Sequence, residues 1–306
     1  MPWPAKPSTR ACRGLTLAEP VEVAVAPPFA GAALLDFLHR HMVAGVETGG
    51  VAVGAGRTVV RYARTLRLPH GPGTVGLSWD GERLLADLAV EPADRALALA
   101  RVRHLVDAEA DPQAVDSHLG ADEHLAGLVA ATPGLRVPGV LDPAEMAFRT
   151  VIGQQISLAS ARTSCATITR RHGQPLPEGH EPGLGWLFPS PERLAAADPT
   201  TLPMPGARGR ALVALAERLA DGRLDLSVTG DLAATRAALL ACPGIGPWTA
   251  DYVLMRVAHA PDVLLTSDLV IGRELAARRV LDPGRWSPYR SYAAMHLWHD
   301  FLGRTP

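Results

Sequence analysis

Two hydrophobic periods alternate along the first third of the chain. Val21 to Ala26 places Val at every second position, the period of a half-buried strand. Phe29 to Met42 then spaces its apolar residues three and four apart, which puts them on one face of a helix. The strand period returns in Thr58 to Thr65 and Gly73 to Trp79, and Asp80-Gly81 supplies a hairpin turn into a further strand over Glu82 to Val90. Pro92 to Val106 reverts to helix. Residues 21–110 therefore predict an α+β domain built on an antiparallel sheet, in which no catalytic cluster is visible.

From Asp111 onward the pattern is almost wholly helical. Asp111 is a capping residue and Pro112 suits the first helical position, where a missing N–H costs nothing. Ser190-Pro191 and Asp198-Pro199 repeat that start signal, and Gly206 to Leu219 carries an apolar stripe. The reading for residues 111–306 is an all-α body of two lobes. Gly173 to Gly185, rich in Pro and Gly, reads as a surface loop, and the first 20 residues, which lack periodicity, as a flexible tail.

The most specific local chemistry lies between two helical patterns, at about residues 232–258. Gly244 and Gly246 carry no Cβ to oppose a sharp turn or the close approach of another molecule. Pro247 opens the next helix, whose apolar face runs through Thr249, Ala250, Val253, Leu254 and Val257. Free amides at such a helix end bind phosphate without any Lys or Arg. A Gly turn before a helix also serves as a plain packing joint. Further on, Thr266-Ser267-Asp268 precedes an apolar run, so Asp268 fits a capping carboxylate worth about 1 kcal/mol.

Composition narrows the class of protein. With 306 residues and 47% apolar content the chain can build two or three packed units, and no apolar run approaches the roughly 18 residues of a membrane span. A soluble, cytoplasmic protein is expected. Cys12, Cys165 and Cys242 are scattered, without disulfide or metal-ligand spacing, and read as reduced and structural. The net charge of −1 gives no global basic surface for nucleic acid. Arg273, Arg278, Arg279, Arg285 and Arg290 could form a phosphate-facing strip or simply a solvated helix face. Of 30 basic residues only Lys6 is a lysine. A guanidinium stays protonated and cannot form a Schiff base, which disfavours amine-nucleophile chemistry in the body of the protein.

The segment PGIGPWTADYVLMR, followed by Asp268, resembles the helix-hairpin-helix DNA glycosylases, most closely the 3-methyladenine DNA glycosylase II (AlkA) type. RTVIGQQIS from Arg149, FPSPERLAAADP from Phe188 and WSPYRSYAAMHLW from Trp286 extend the likeness in family order, from about Val21 to the end. The resemblance implies a monofunctional glycosylase that flips alkylated purines (3-methyladenine, 7-methylguanine, hypoxanthine) out of double-stranded DNA and leaves an abasic site. It implies Asp268 as the catalytic carboxylate, Trp248, Tyr252, Tyr289 and Leu269 as the base pocket, and Gln154 and Gln155 as the wedge filling the emptied stack. Amides of Gly244, Gly246 and Thr249 would hold phosphate. Carbonyls of Leu240, Cys242 and Ile245 would hold a structural Na+ or K+, with no other cofactor and no iron–sulfur cluster. A monomer working at the nucleoid is expected.

Where lyase-competent relatives carry their lysine, two residues past the second hairpin glycine, this chain has Trp248. Two departures bear on lesion preference: Leu269 replaces an aromatic, and Tyr289 stands in place of a tryptophan. Ser267 replaces a second aspartate. A non-catalytic DNA-binding protein and a glycosylase for oxidised or mismatched bases are the alternative readings.

Overall fold

The computed structural model describes residues 19–54, 57–177, 181–227 and 231–304. The expected tail lies outside these residues except for its last two. Strand β1 (Val21–Glu22) and helix α1 (Gly31–Arg40) open the fold, followed by strands β2 (Glu47–Gly54), β3 (Arg57–Leu68), β4 (Gly71–Trp79) and β5 (Leu84–Ala89). They form one antiparallel sheet in the order β1-β5-β4-β3-β2. On β3, Val60, Tyr62, Leu66 and Leu68 point inward with the two-residue period, and the same period buries Arg64. Strand β2 was not foreseen. Its segment is rich in glycine, and a Cβ at Gly49 would lie 2.6 Å from the carbonyl oxygen of Arg61 on β3, so the pairing needs a residue without a side chain.

The expected helix at Pro92 begins as a 3-10 turn (Pro92–Asp94) and continues as α2 (Arg95–Leu105). Asp94 is buried at that turn because its carboxylate holds the amide and ring of His70. Helices α1 and α2 cover the sheet, and Val23, Leu34, Leu77, Leu84, Val102 and Leu105 belong to its core.

Helices α3 (Pro112–Gly120) and α4 (Ala126–Ala131) then begin one lobe. The Asp111 carboxylate accepts from the amides of Gln113 and Ala114, the cap read from the sequence. The chain crosses into a second lobe made of α5 (Pro143–Ile152), α6 (Leu158–His172), α7 (Pro191–Ala195), α8 (Gly206–Ala220), α9 (Leu232–Leu240) and α10 (Pro247–Val257). It returns through α11 (Leu269–Ala277) and α12 (Arg290–Arg304), which pack with α3 and α4 around Leu119, Trp286 and Leu297. Asp198-Pro199 starts no helix: the Asp198 carboxylate instead holds the amide and hydroxyl of Thr200 in a turn. The Gly173–Gly185 loop is pinned in its described part by strand β6 (Gln174–Pro175), which pairs with β7 (Trp186–Leu187), and by a bridge from Leu184 to Gly45.

Helix α10 joins the lobes. Ala250, Val253, Leu254 and Val257 pack into the second lobe, while Met255 packs with the first. A helix buried on several faces is a rigid base for a site.

Candidate active site

The hairpin between α9 and α10 has the conformation its glycines permit. Gly244 has φ +77°, and a Cβ there would sit 2.6 Å from the Cβ of Ala211 on α8. Gly246 caps α10, and a Cβ on it would meet open space, so its outer side is free for a ligand. Pro247 follows at the first helical position, leaving first-turn amides, including that of Thr249, without intrahelical acceptors. On the other arm, the Cys242 carbonyl accepts the Ile245 amide at 3.1 Å. Leu240 is the last residue of α9 and Cys242 lies just past its C-cap, whereas Ile245 directly precedes the N-cap of α10.

Gln154 and Gln155 lie in the turn after α5 and behave differently. The Gln154 amide donates to the Gly244 carbonyl (3.1 Å) and the Thr249 hydroxyl (3.0 Å), tying this turn to the hairpin. Gln155 is exposed and held at φ +56°, a left-handed conformation that costs a residue with a Cβ on the order of 1 kcal/mol. Among the described residues none is hydrogen-bonded to the Gln155 side chain.

Asp268 caps α11 and faces a cavity of about 380 Å³. Its Oδ1 accepts from the amides of Val270 (2.9 Å) and Ile271 (3.0 Å) and from the indole Nε1 of Trp298 on α12 (3.2 Å). Three donors thus fix one oxygen, and among the described residues none donates to Oδ2. One carboxylate oxygen thus serves the cap and leaves the other without a described donor. Trp248 and Tyr252, four residues apart on α10, stack with ring centroids 5.2 Å apart, and Trp298 meets Tyr252 edge-on at 6.0 Å. The Tyr252 hydroxyl accepts from Arg256 at 2.7 Å. Arg256 is itself buried, donates to the carbonyls of Pro138 and Gly139, and lies 5.0 Å over the Phe37 ring.

A second wall of the same cavity comes from the sheet domain and α5. Glu47 accepts from the Tyr62 hydroxyl (2.6 Å), the Val43 amide (2.7 Å) and Arg149 (3.0 Å). Glu145 pairs with Arg64 and Arg149. Burial alone would raise the Glu47 carboxyl, but Arg149 and Arg64 bring it down to about 2. Sequence reasoning missed this cluster. The one available signal was an arginine, Arg64, on the inward face of a strand.

Not every expected site residue reaches the cavity. Trp248, Tyr252 and Asp268 line it together with Val270 and Trp298. Leu269 is 78% exposed, because the residue after the cap projects away from it around the helix. Tyr289 packs edge-on against His118 and Tyr292. In the arginine strip, Arg278 pairs with Asp300, Arg285 with Asp122 and Arg290 with Asp262, so these three serve the fold. Cys165 and Cys242 are buried free thiols, and burial pushes Cys165 up to about 12, too high for a thiolate at neutral pH. Cys12 and Lys6 lie outside the described residues.

Residues 20–142 match the family model of the AlkA N-terminal domain. Across 286 residues the chain is 35% identical to DNA-3-methyladenine glycosylase 2 of Escherichia coli (strain K12), covering 89% of this chain and 94% of that protein. The chain belongs to the AlkA family. It is also 40% identical, over 285 residues, to the protein named "Probable bifunctional transcriptional activator/DNA repair enzyme AlkA" of Mycobacterium tuberculosis (strain ATCC 25618 / H37Rv). That match takes in 90% of this chain and only 55% of the mycobacterial protein, so the chain spans about half the length of that relative. Among solved structures, the 3-methyladenine DNA-glycosylase from Archaeoglobus fulgidus superposes with a TM-score of 0.72 at 18% identity, covering 93% of this chain and all of that one. The structure of MBOgg1 with a low-affinity DNA ligand gives 0.66 at 16% identity over 84% of this chain. These two likenesses confirm the family's fold, a sheet domain joined to two helical lobes. No helix among the described residues is long and apolar enough to cross a membrane.

Proposed function

We propose that this chain is a monofunctional DNA glycosylase that hydrolyses the N-glycosidic bond of alkylated purines such as 3-methyladenine and 7-methylguanine, and of hypoxanthine, leaving an abasic site. The observation that carries this reading is Asp268, whose Oδ1 is held by three donors while Oδ2 remains available in a cavity shared with Trp248 and Tyr252. Cleavage of the C1′–N bond builds positive charge on the sugar. A carboxylate already oriented in a partly water-excluded site stabilises that charge without reorganising. The oxygen left without a donor can also orient and deprotonate the attacking water.

Reaching C1′ requires the nucleotide to leave the stack, at a cost of a few kcal/mol that is lower for damaged bases. Gln155, exposed at the tip of its turn, fills the vacated space. Gln154 keeps that turn in register with the hairpin. Amides of Gly244, Gly246 and Thr249 bind the backbone phosphates, and a Na+ or K+ on the carbonyls of Leu240, Cys242 and Ile245 would add positive charge beside them. Trp248 and Tyr252 offer aromatic faces, which favour a cationic alkylated base. Leu269 and Tyr289 are not among the residues that line the cavity. The partner is double-stranded DNA, bound by a monomer in the cytoplasm.

The test incubates the purified protein with methylated DNA and with a duplex holding one hypoxanthine, scoring free base and strand breaks before and after alkali. Base release with breaks only after alkali is the expected result. Breaks without alkali would contradict the monofunctional mechanism, and no release from either DNA would contradict the enzyme.

A further inference from the structure

His41 ends α1 on the inner side of the cavity and belongs to its lining, as do Asp268 and Tyr252. Its ring stacks on Phe37 with centroids 4.2 Å apart. The Nδ1 atom lies 2.7 Å from the Phe37 carbonyl oxygen, which can only accept, so Nδ1 carries the proton. Burial pushes the imidazole down to about 4, with the positive charges of Arg256 and Arg149 acting in the same direction and the Phe37 hydrogen bond and Glu47 opposing. The ring is therefore neutral in the physiological range, and Nε2 is a pure acceptor. No described residue donates to Nε2, and His41 is among the residues that line the cavity. The other polar groups on that wall are committed: Glu47 and Glu145 to guanidinium groups, the Tyr62 hydroxyl to Glu47, and Arg256 to carbonyls and Tyr252.

We propose that His41 selects the base, its Nε2 accepting a hydrogen bond from an N–H on the edge of the flipped purine, either an exocyclic amino group or a ring N1–H. The proposal rests on the glycosylase reading. A fixed acceptor without charge accepts from a cationic or a neutral base alike in kind, and discriminates against a base that offers no donor. An adenine-type amino group, the N1–H of a guanine-type base and the N1–H of hypoxanthine all meet that requirement. An unsubstituted purine does not. A site built around one hydrogen bond penalises a base lacking its partner, because the buried acceptor is then left unsatisfied.

The experiment compares single-turnover release from two otherwise identical duplexes, one with hypoxanthine and one with unsubstituted purine, by the wild type, His41→Phe, His41→Leu and His41→Gln. The wild type is expected to favour hypoxanthine. Phe, which keeps the stack on Phe37 and removes the acceptor, should slow hypoxanthine release about 10- to 100-fold and change purine release by less than about two-fold. Leu tests the same loss with a smaller side chain should Phe strain the fold, as thermal unfolding will show. Gln, whose amide oxygen accepts, should recover part of the hypoxanthine rate. Equal slowing of both bases in folded variants, or an unchanged ratio, overturns the assignment of His41 while the wild-type activity stands. Absence of release by the wild type from both duplexes overturns the glycosylase reading, and the base-selecting role with it.

Discussion

On the sheet-domain wall of the cavity, Glu47 and Glu145 face Arg64 and Arg149, with side chains 4–14% exposed. On the opposite wall, Asp268 is half-buried and takes part in no ion pair among the described residues; its partners are two amides and an indole N–H. The first arrangement neutralises itself and joins the sheet to α5, so it acts as a structural clamp. The second leaves one oxygen uncommitted, the condition under which a carboxylate can meet a developing cation. Residue type alone does not separate structure from chemistry here. The state of each lone pair does.

The largest effect should come from breaking the paired wall. Arg149→Met leaves Glu47 and Glu145 with one cation between them, and unfolding in urea should show a loss of about 3–5 kcal/mol. A variant as stable as the wild type would mean the clamp contributes nothing. Acid should act next. Burial pushes His41, His104, His259 and His296 down to about 4, so in the native state they stay neutral below the pH at which the unfolded chain protonates them. Their contribution is complete above about pH 6.5 and is lost as pH falls towards 4, and Glu47 continues the loss from about 4.5 to 2. Asp107 and Asp116, raised by burial, offset part of it. Urea midpoints should therefore correspond to at least about 2 kcal/mol less stability at pH 4.5 than at pH 7.5; equal midpoints would contradict this. The smallest effect is expected at Trp298. Trp298→Phe keeps the edge contact with Tyr252 and removes only the N–H on Asp268, so base release should slow about ten-fold with DNA affinity unchanged. A matching loss of affinity would make Trp298 a packing residue instead.

Much of this was legible in the sequence because the signals are local. Asp111-Pro112, the Gly-Ile-Gly hairpin with Pro247, and the Thr266-Ser267-Asp268 cap each set their own backbone, and the structure keeps all three. Strand β2 was hidden because glycines at 49 and 50 remove the side-chain alternation that announces a strand. The clamp was hidden for another reason: Glu47 and Arg149 lie 102 residues apart, and no period relates them. Trp298 stood at the end of a segment already noted, yet only the packing of α12 against α11 brings its indole to Asp268. His41 gave no sign at all, since a histidine at a helix end is ordinary until the cavity behind it is seen.

The most direct test is Asp268→Asn, measured by single-turnover release of hypoxanthine from a duplex. Asn caps a helix about as well as Asp, so stability should stay within about 1 kcal/mol and abasic-DNA binding should persist. Release should fall at least about 10²–10³-fold, because the neutral amide cannot stabilise the sugar cation. A folded Asn variant that releases base at the wild-type rate would reduce Asp268 to a helix cap.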